Sequence, residues 1–238
     1  MTDHRGSRSP QRTRLTAMYA AGAAVVAVFA WALSGLAWLL LWPAAALLYV
    51  SAAYGAIGPG AFGKRADGRM PLPVRLLLAP YQIGAWLNSR LWTRKHPAPD
   101  LIGRQVWLGR FPSERDLDQG QFAAIVDLSA ELPGFATHIS WHAFPTLDLV
   151  TPPPEVLAAA AQAIEDGRQT GQVLVVCALG YGRSAAAVAT WLVAFGRAHD
   201  ADEAARTIRT ARPHIVLNEV AQNAVNAAAG LLTASYRR

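Results

Sequence analysis

The pattern of hydrophobic and polar positions divides the chain into two parts. From Leu15 to Gly63 the sequence contains no Asp, Glu, Lys or Arg, a run of 49 positions. One helix needs roughly 20 apolar residues to cross a bilayer, so this run predicts two passes. We place them at 15–33 and 37–56, with the reversal at Ser34-Gly35.

A cleaved signal peptide is one alternative, because Arg12 and Arg14 precede the apolar run and Gly35-Leu36-Ala37 has the small residues of a cleavage site. A signal core is only about 7 to 15 residues long, however, and here a second apolar run follows the first. The other alternative is a hairpin buried in a soluble protein, which would need a larger core than the remaining chain supplies. The pattern therefore favours a membrane hairpin.

Past Pro99, short apolar runs alternate with helical patterns, which is typical of an α/β domain. The predicted strands are 102–108, 123–128, 137–144 and 172–176. The predicted helices are 152–167, 182–197, 202–210 and 218–232, with a short helix after Ser113 as its N-cap. We expect a central, mostly parallel sheet flanked by helices.

A basic segment, 64–99, connects the two parts. Its residues 71–95 mix apolar and aromatic side chains with arginines, as a helix at the headgroup boundary would. An amphipathic helix packed on the following domain explains the pattern equally well. The predicted division is a basic tail (1–14), two membrane helices (15–63), the basic segment (64–99) and the α/β domain (100–238).

Composition and charge support this division. The chain is 53% hydrophobic and 16% charged. Residues 1–95 carry eleven Lys and Arg and two acids, a net of +9, and residues 96–238 carry eleven and fourteen, a net of −3. An anionic membrane surface, not nucleic acid, is therefore the expected partner of the basic part.

Basic residues lie on both sides of the apolar run and none at its turn, which predicts that both ends are cytoplasmic. They are Arg5, Arg8, Arg12, Arg14, Lys64, Arg65, Arg69 and Arg75.

The candidate chemistry lies where the predicted strand ends at Cys177, the single cysteine of the chain. Glycines in the following loop let backbone N–H groups converge on an anion, and a helix N-terminus adds partial positive charge. Arg183 can hold two phosphate oxygens with its planar fork. The same field stabilises a thiolate, so Cys177 is a candidate nucleophile, with Ser184 placed to hydrogen-bond its sulfur. The predicted phosphate-binding loop is Ala178, Leu179, Gly180, Tyr181, Gly182 and Arg183. A small buried core cysteine is the alternative.

Residues 177–184 resemble the C-x-x-G-x-x-R-S/T signature of the dual-specificity phosphatases, within the cysteine-dependent protein tyrosine phosphatase superfamily. The resemblance covers residues 100–233. It includes 106–110, 125–128, Arg212-Pro213, Asn218 and Gln222. It implies a phosphatase-type α/β fold that hydrolyses phosphomonoesters through a phosphocysteine, with no metal or other cofactor. With the apolar N-terminal region, it resembles bacterial inner-membrane phosphatases of this type; the length of the apolar run and the flanking charges add the expectation of a multi-pass protein with a cytoplasmic catalytic domain.

The family also needs a general acid, an Asp about thirty residues before the cysteine. Asp148 lies 29 positions before Cys177, between a predicted strand and a predicted helix. It would protonate the leaving oxygen and then activate water. Asp127 and Glu131 are weaker candidates, and a helix-capping role is the alternative for Asp148. Val176 stands where the family usually has His, which affects the expected rate more than the reaction type.

We expect a membrane-anchored phosphatase whose partners are membrane lipids and a phosphorylated protein or phospholipid substrate. The loop carries no further Lys or Arg between Cys177 and Arg183, so a multiply phosphorylated inositol is not especially favoured. The alternative is a non-catalytic phosphate-binding membrane adaptor. Val176 favours the adaptor, whereas Asp148 favours the enzyme.

Overall fold

The structure is a computed structural model that describes residues 10–118 and 120–235. These residues form two compact units. One unit contains the chain up to Gly63 and the segment Pro71–Gly84, and the other contains Lys64–Met70 and the chain from Ala85 onward. Most of the predicted basic tail lies outside the described residues. The predicted segment 64–99 is thus shared between the units, and its first seven residues belong with the α/β unit.

The first unit is a helical hairpin followed by the start of a third helix. Helix α1 is followed by a reversal at Ser34 and Gly35, whose φ angles are 52° and 56°. The helices are α1 (Pro10–Leu33), α2 (Leu41–Ala52) and α3 (Leu72–Trp92), with 3-10 segments at Gly35–Leu40 and Pro59–Phe62 and a π-helical turn at Ala53–Ile57.

Helices α1 and α2 pack against each other in opposite directions. Ser51 Oγ donates to the carbonyl of Thr16 at 2.8 Å. The guanidinium of Arg12 donates to the carbonyl of Tyr54 at 2.9 and 3.1 Å. A Cβ at Gly55 would lie 3.0 Å from the Thr16 methyl, so a small residue permits this approach. The start of α1 and the end of the second apolar segment therefore lie side by side.

Both apolar segments, Pro10–Leu33 and Gly35–Ile57, are long and apolar enough to cross a membrane. Only 17% and 28% of their most apolar stretches are buried, and Trp31 has 73% of its surface exposed. A hairpin in the core of a soluble protein would be covered on most sides. The exposure of these helices therefore argues against the buried alternative.

The α/β unit is built on a five-stranded sheet with the order β1-β2-β5-β3-β4. Its strands are β1 (Asp100–Gly103), β2 (Val106–Arg110), β3 (Phe122–Ser129), β4 (Ser140–Thr146) and β5 (Gln172–Cys177). All neighbouring strands are parallel except β1 and β2, which confirms the predicted sheet. The central strand β5 is an apolar run because both of its faces are buried.

Most helices of the unit cover one face of this sheet, and a short helix, loops and aromatic side chains contribute to the other. Besides the end of α3, the helices of the unit are α4 (Glu114–Asp118), whose Leu117 packs on the second face, and, on the first, α5 (Pro154–Thr170), α6 (Arg183–Ala194), α7 (Ala201–Ala211) and α8 (Glu219–Ser235). Leu157 of α5 and Trp191 of α6 belong to one core with Val175 of β5. On the other face Leu174 packs in a second core that includes Trp141. Ser113 caps α4 as predicted, because its Oγ accepts the N–H of Asp116.

The prediction of one strand over 102–108 is wrong. The chain reverses at Arg104 and Gln105, whose φ angles are 45° and 70°, and forms the antiparallel pair β1 and β2. Two-residue hairpin turns favour positive φ at both positions, and Asn-Gly is their usual sequence. Arg104-Gln105 adopts this conformation without the Asn or Gly that would predict it.

The segment Lys64–Met70 lies along the edge strand β4. The N–H of Ala143 donates to the carbonyl of Ala66 at 2.9 Å, and the N–H of Gly134 donates to that of Gly68 at 2.8 Å. Gly68 has a φ of 78°, and a Cβ there would lie 2.4 Å from the indole nitrogen of Trp141. Only glycine fits this contact without displacing the indole.

We predict that Gly68→Ala destabilises the α/β unit by about 1 to 3 kcal/mol, because the methyl group would collide with Trp141. Gly230→Ala is the matched control, since a Cβ in that part of α8 meets no atom within 4 Å and helix propensity favours alanine. Thermal unfolding of the full chain measures both. An unchanged midpoint for Gly68→Ala would contradict the docking of this segment.

Candidate active site

The predicted strand, loop and helix are present around Cys177. Strand β5 ends at this residue, beside Arg110 of β2, and α6 begins at Arg183. Gly180 in the loop has a φ of 75°, and a Cβ there would lie 2.4 Å from the carbonyl of Gly109. Glycine is therefore required where the loop crosses β2, at the carboxyl end of the central strand.

The loop carbonyls bind the surrounding scaffold. The carbonyl of Ala178 accepts hydrogen bonds from the N–H of Phe111 and from Ser89 Oγ. The guanidinium of Arg212 donates to the carbonyls of Leu179 and Gly180. The N–H of Val216 donates to the carbonyl of Tyr181. With these carbonyls engaged by the scaffold, the N–H of Gly180 points to Cys177 Sγ at 3.3 Å. This is the arrangement that an anion-binding loop requires.

Two donors meet the sulfur of Cys177. Ser184 Oγ lies 3.2 Å from Sγ, in addition to the N–H of Gly180. Both donors stabilise a negatively charged sulfur, and Cys177 itself is buried. The structure thus brings Cys177, Ser184 and the loop together as the sequence predicted.

Arg183 is a buried cation, with 4% of its side chain exposed. Its Nη1 donates to Glu131 at 2.9 Å and to the carbonyl of Thr146 at 2.7 Å. Its Nη2 donates to Glu131 at 2.6 Å and to Asp148 at 2.8 Å. Burial would lower the pKa of Arg183, but the two carboxylates outweigh it and raise the pKa. The four Nη hydrogens are therefore all in use, so an Nη atom can bind a phosphate oxygen only if a carboxylate leaves, and the departure of Asp148 frees one hydrogen of Nη2.

Asp148 is the more accessible of these two carboxylates. It follows β4 in a loop, and 35% of its side chain is exposed, against 3% for Glu131. Burial of its carboxyl raises the pKa of Asp148, the charge of Glu131 adds to the rise, and Arg183 opposes it. Asp148 therefore keeps its proton to a higher pH than an ordinary Asp, which suits a proton donor. The next residue, Leu149, has a φ of 57°, a strained conformation of the kind found at functional sites.

The two other carboxylates named as candidate acids are each paired with a buried cation. Burial would raise the pKa of Glu131, but the charge and hydrogen bonds of Arg183 hold it below its ordinary value, so Glu131 stays ionised. Asp127 accepts a hydrogen bond from Lys64 at 2.5 Å, and neither side chain is exposed. Both are poorly placed to give a proton to a substrate.

Sequence reasoning missed the contribution of two basic residues. Arg212 is buried, donates to the carbonyls of Gly180 and Leu179 at 2.9 and 3.1 Å, and pairs with Asp100 at 2.7 Å. Its place in an Arg-Pro pair was the only signal. By sequence Lys64 is a membrane-flanking charge, and nothing local indicates its burial. Over residues 10–118 and 120–235 no group of three or more His, Cys, Asp or Glu could hold a metal ion.

No protein-family model and no curated protein matches the sequence. Solved structures do match it. Tk-PTP in its active form is 27% identical, with a TM-score of 0.50 over 57% of this chain and 98% of that one. PTPMT1 is 20% identical, with a TM-score of 0.51 over 58% and 98%. Human DUSP28 is 22% identical, with a TM-score of 0.50 over 57% and 99%.

The α/β unit has the dual-specificity phosphatase fold. The predicted resemblance to that family is confirmed, and the matched region spans nearly the whole length of each neighbour. In this fold Val176, fully buried next to Cys177, packs into the core on the face of Leu174. The predicted bacterial inner-membrane type stays a prediction.

We predict that Glu131→Gln destabilises the α/β unit by on the order of 3 kcal/mol, because it removes one charge of a buried ion pair. The ion pair holds the pKa of Glu131 below 4.5, so its stabilisation is present above that pH and is lost as the pH falls further. The variant should lose that part of the acid dependence of stability. Unfolding measured from pH 3 upward, with exposed Glu114→Gln as control, checks this. Equal effects of the two substitutions would contradict it.

Proposed function

We propose that the chain is a membrane-anchored, cysteine-dependent phosphatase that hydrolyses phosphomonoesters through a phosphocysteine intermediate. The convergence of Gly180 N–H and Ser184 Oγ on Cys177 Sγ, inside a loop whose carbonyls bind the scaffold, carries this proposal. A phosphoryl group that accepts the N–H of Gly180 would lie next to the nucleophile.

In this mechanism the substrate phosphate replaces Asp148 on Nη2 of Arg183. The sulfur of Cys177 attacks phosphorus, the bond to the leaving oxygen breaks, and Asp148 gives that oxygen its proton. Water then attacks phosphorus, Asp148 takes a proton from it, and the P–S bond breaks. Ser184 stabilises the departing thiolate, and inorganic phosphate leaves. The exchange at Arg183 frees Asp148 at the moment when its proton is needed.

We further propose that the hairpin of α1 and α2 spans the membrane and leaves the α/β unit in the cytoplasm. Support comes from the exposed apolar surface of both helices and from basic residues beyond each end. Lys64 must be removed from that charge count because it is buried against Asp127. Arg65, Arg69 and Arg75 remain exposed on that side. Positive charge therefore still follows the second apolar segment, as a cytoplasmic position requires.

Apolar side chains beside the loop favour a lipid phosphate over a phosphoprotein as substrate. Leu149, next to Asp148, is 59% exposed, and Val216, whose N–H binds the carbonyl of Tyr181, is 64% exposed. Exposed apolar groups at the mouth of a site can contact the acyl region of a lipid. One structure of a neighbour is that of PTPMT1 in complex with PI(5)P.

The full chain in detergent should hydrolyse an aryl phosphate, and Cys177→Ser should abolish the reaction because the nucleophile is lost.

Phosphate release from vesicles containing a lipid phosphomonoester should exceed release from phosphopeptides. The double variant Leu149→Ser/Val216→Ser should reduce the lipid reaction and spare the aryl substrate. If the wild-type chain binds vanadate but has no turnover, the phosphatase proposal is wrong and the phosphate-binding adaptor is the better explanation.

We predict that Asp148→Asn slows hydrolysis of an alkyl phosphate by on the order of 100-fold or more and affects an activated aryl phosphate much less. Only the poor leaving group needs the proton. Because the pKa of Asp148 is raised, activity should fall as the pH rises through that value, and this basic limb should vanish in the variant. Equal losses on both substrates, measured as kcat/KM across pH, would show that Asp148 only supports the fold.

A further inference from the structure

The ammonium group of Lys64 is the centre of a buried cluster of acceptors. Its Nζ lies 2.5 Å from Asp127 Oδ2, 2.6 Å from the carbonyl of Leu132, 2.7 Å from that of Ser129 and 3.2 Å from Ser129 Oγ. The side chains of Lys64 and Asp127 have no exposed surface. An ammonium has three hydrogens, so this environment satisfies all of them.

Such a site is costly unless its geometry is good. Moving an ammonium out of water costs several kcal/mol. Burial accordingly lowers the pKa of Lys64, and the charge and hydrogen bond of Asp127 oppose the shift. Asp127 is itself fixed, because its Oδ1 accepts the N–H and the Oγ of Ser129 at 2.8 and 2.7 Å. The cluster is therefore a rigid polar unit at the end of β3.

This cluster holds the segment that carries Glu131. The two carbonyls bound by Lys64 belong to Ser129 and Leu132, which stand on either side of Glu131 in the chain. Glu131 in turn holds Nη1 and Nη2 of Arg183 at 2.9 and 2.6 Å. A continuous path of hydrogen bonds and short backbone thus leads from Lys64 to the guanidinium of the phosphate site.

We propose that Lys64 is a positioning residue of the phosphate site, which fixes residues 129–132 so that Glu131 orients Arg183. The expected effect of Lys64 on turnover rests on the proposed function. The expected effect of Lys64 on anion binding does not. The residue follows the apolar hairpin directly, outside the span of the phosphatase resemblance. An α/β domain excised at residue 100 would therefore lack part of its own site.

The test compares Lys64→Met with Lys95→Met in the full chain. These are the only two lysines, and Lys95 is exposed. Lys64→Met should lower kcat/KM for an aryl phosphate roughly 10- to 100-fold, because small displacements of a charged group cost that much. Its affinity for vanadate should fall as well, and Lys95→Met should match the wild type in both measurements.

Loss of Lys64 also leaves Asp127 unpaired, so a variant without that charge separates positioning from stability. Lys64→Met/Asp127→Asn keeps the acceptor oxygen for Ser129 and should fold even if Lys64→Met does not. Its kcat/KM and vanadate affinity should remain low, since the carbonyls of Ser129 and Leu132 still lack their donor. Recovery of wild-type values would overturn the proposal, because Lys64 would then only neutralise Asp127.

A double-mutant cycle with Glu131→Gln checks the path to Arg183. If Lys64 acts through Glu131, the double variant Lys64→Met/Glu131→Gln should have nearly the same kcat/KM and vanadate affinity as Glu131→Gln alone. Independent, multiplicative losses would overturn the path. A wild-type chain that binds vanadate but has no turnover contradicts only the proposed function, because the effect of Lys64 can still be measured from the vanadate affinities. A catalytically active chain in which Lys64→Met changes neither quantity contradicts only the positioning role.

Discussion

The candidate phosphate site depends on a guanidinium that the protein holds away from water. Arg183 is 4% exposed, and its burial is offset by Glu131, Asp148 and the carbonyl of Thr146. These partners come from the end of β3 and from the end of β4 and the loop after it, so the two strand ends and the start of α6 must meet at one point. The protein alone holds this arginine in place, and in the proposed mechanism a phosphate displaces only the more exposed carboxylate.

The loop around Cys177 is shaped from outside by residues far away in sequence. Arg212 binds two of its carbonyls and Ser89 of α3 binds a third. Lys64 donates hydrogen bonds to the carbonyls of Ser129 and Leu132, on either side of Glu131 in the chain. Part of the candidate site is therefore held by chain that precedes the region resembling the dual-specificity phosphatases. Lys64 and Ser89 lie between the apolar hairpin and residue 100, and their hydrogen bonds show that this segment is more than a passive linker.

The sequence predicts those features that local patterns encode. The apolar hairpin, the strand, loop and helix at 173–197, and the cap at Ser113 follow from periodicity and from residue types within a few positions. The turn at Arg104 and Gln105 is missed because its positive φ angles occur without glycine or asparagine. Glu131 is taken for a candidate acid, and Lys64 for a membrane-flanking charge, since a buried ion pair between distant residues leaves no local signal.

In the proposed mechanism Cys177 carries the phosphoryl group during turnover. This step is tested most directly by mass spectrometry of the Asp148→Asn chain, denatured rapidly during reaction with an aryl phosphate. This variant should form the intermediate and hydrolyse it slowly. Because the chain has a single cysteine, the modified residue can be assigned without ambiguity. We expect one phosphoryl group on the peptide containing Cys177; turnover with a phosphoryl group on another residue, or with none at all, would contradict the proposed mechanism.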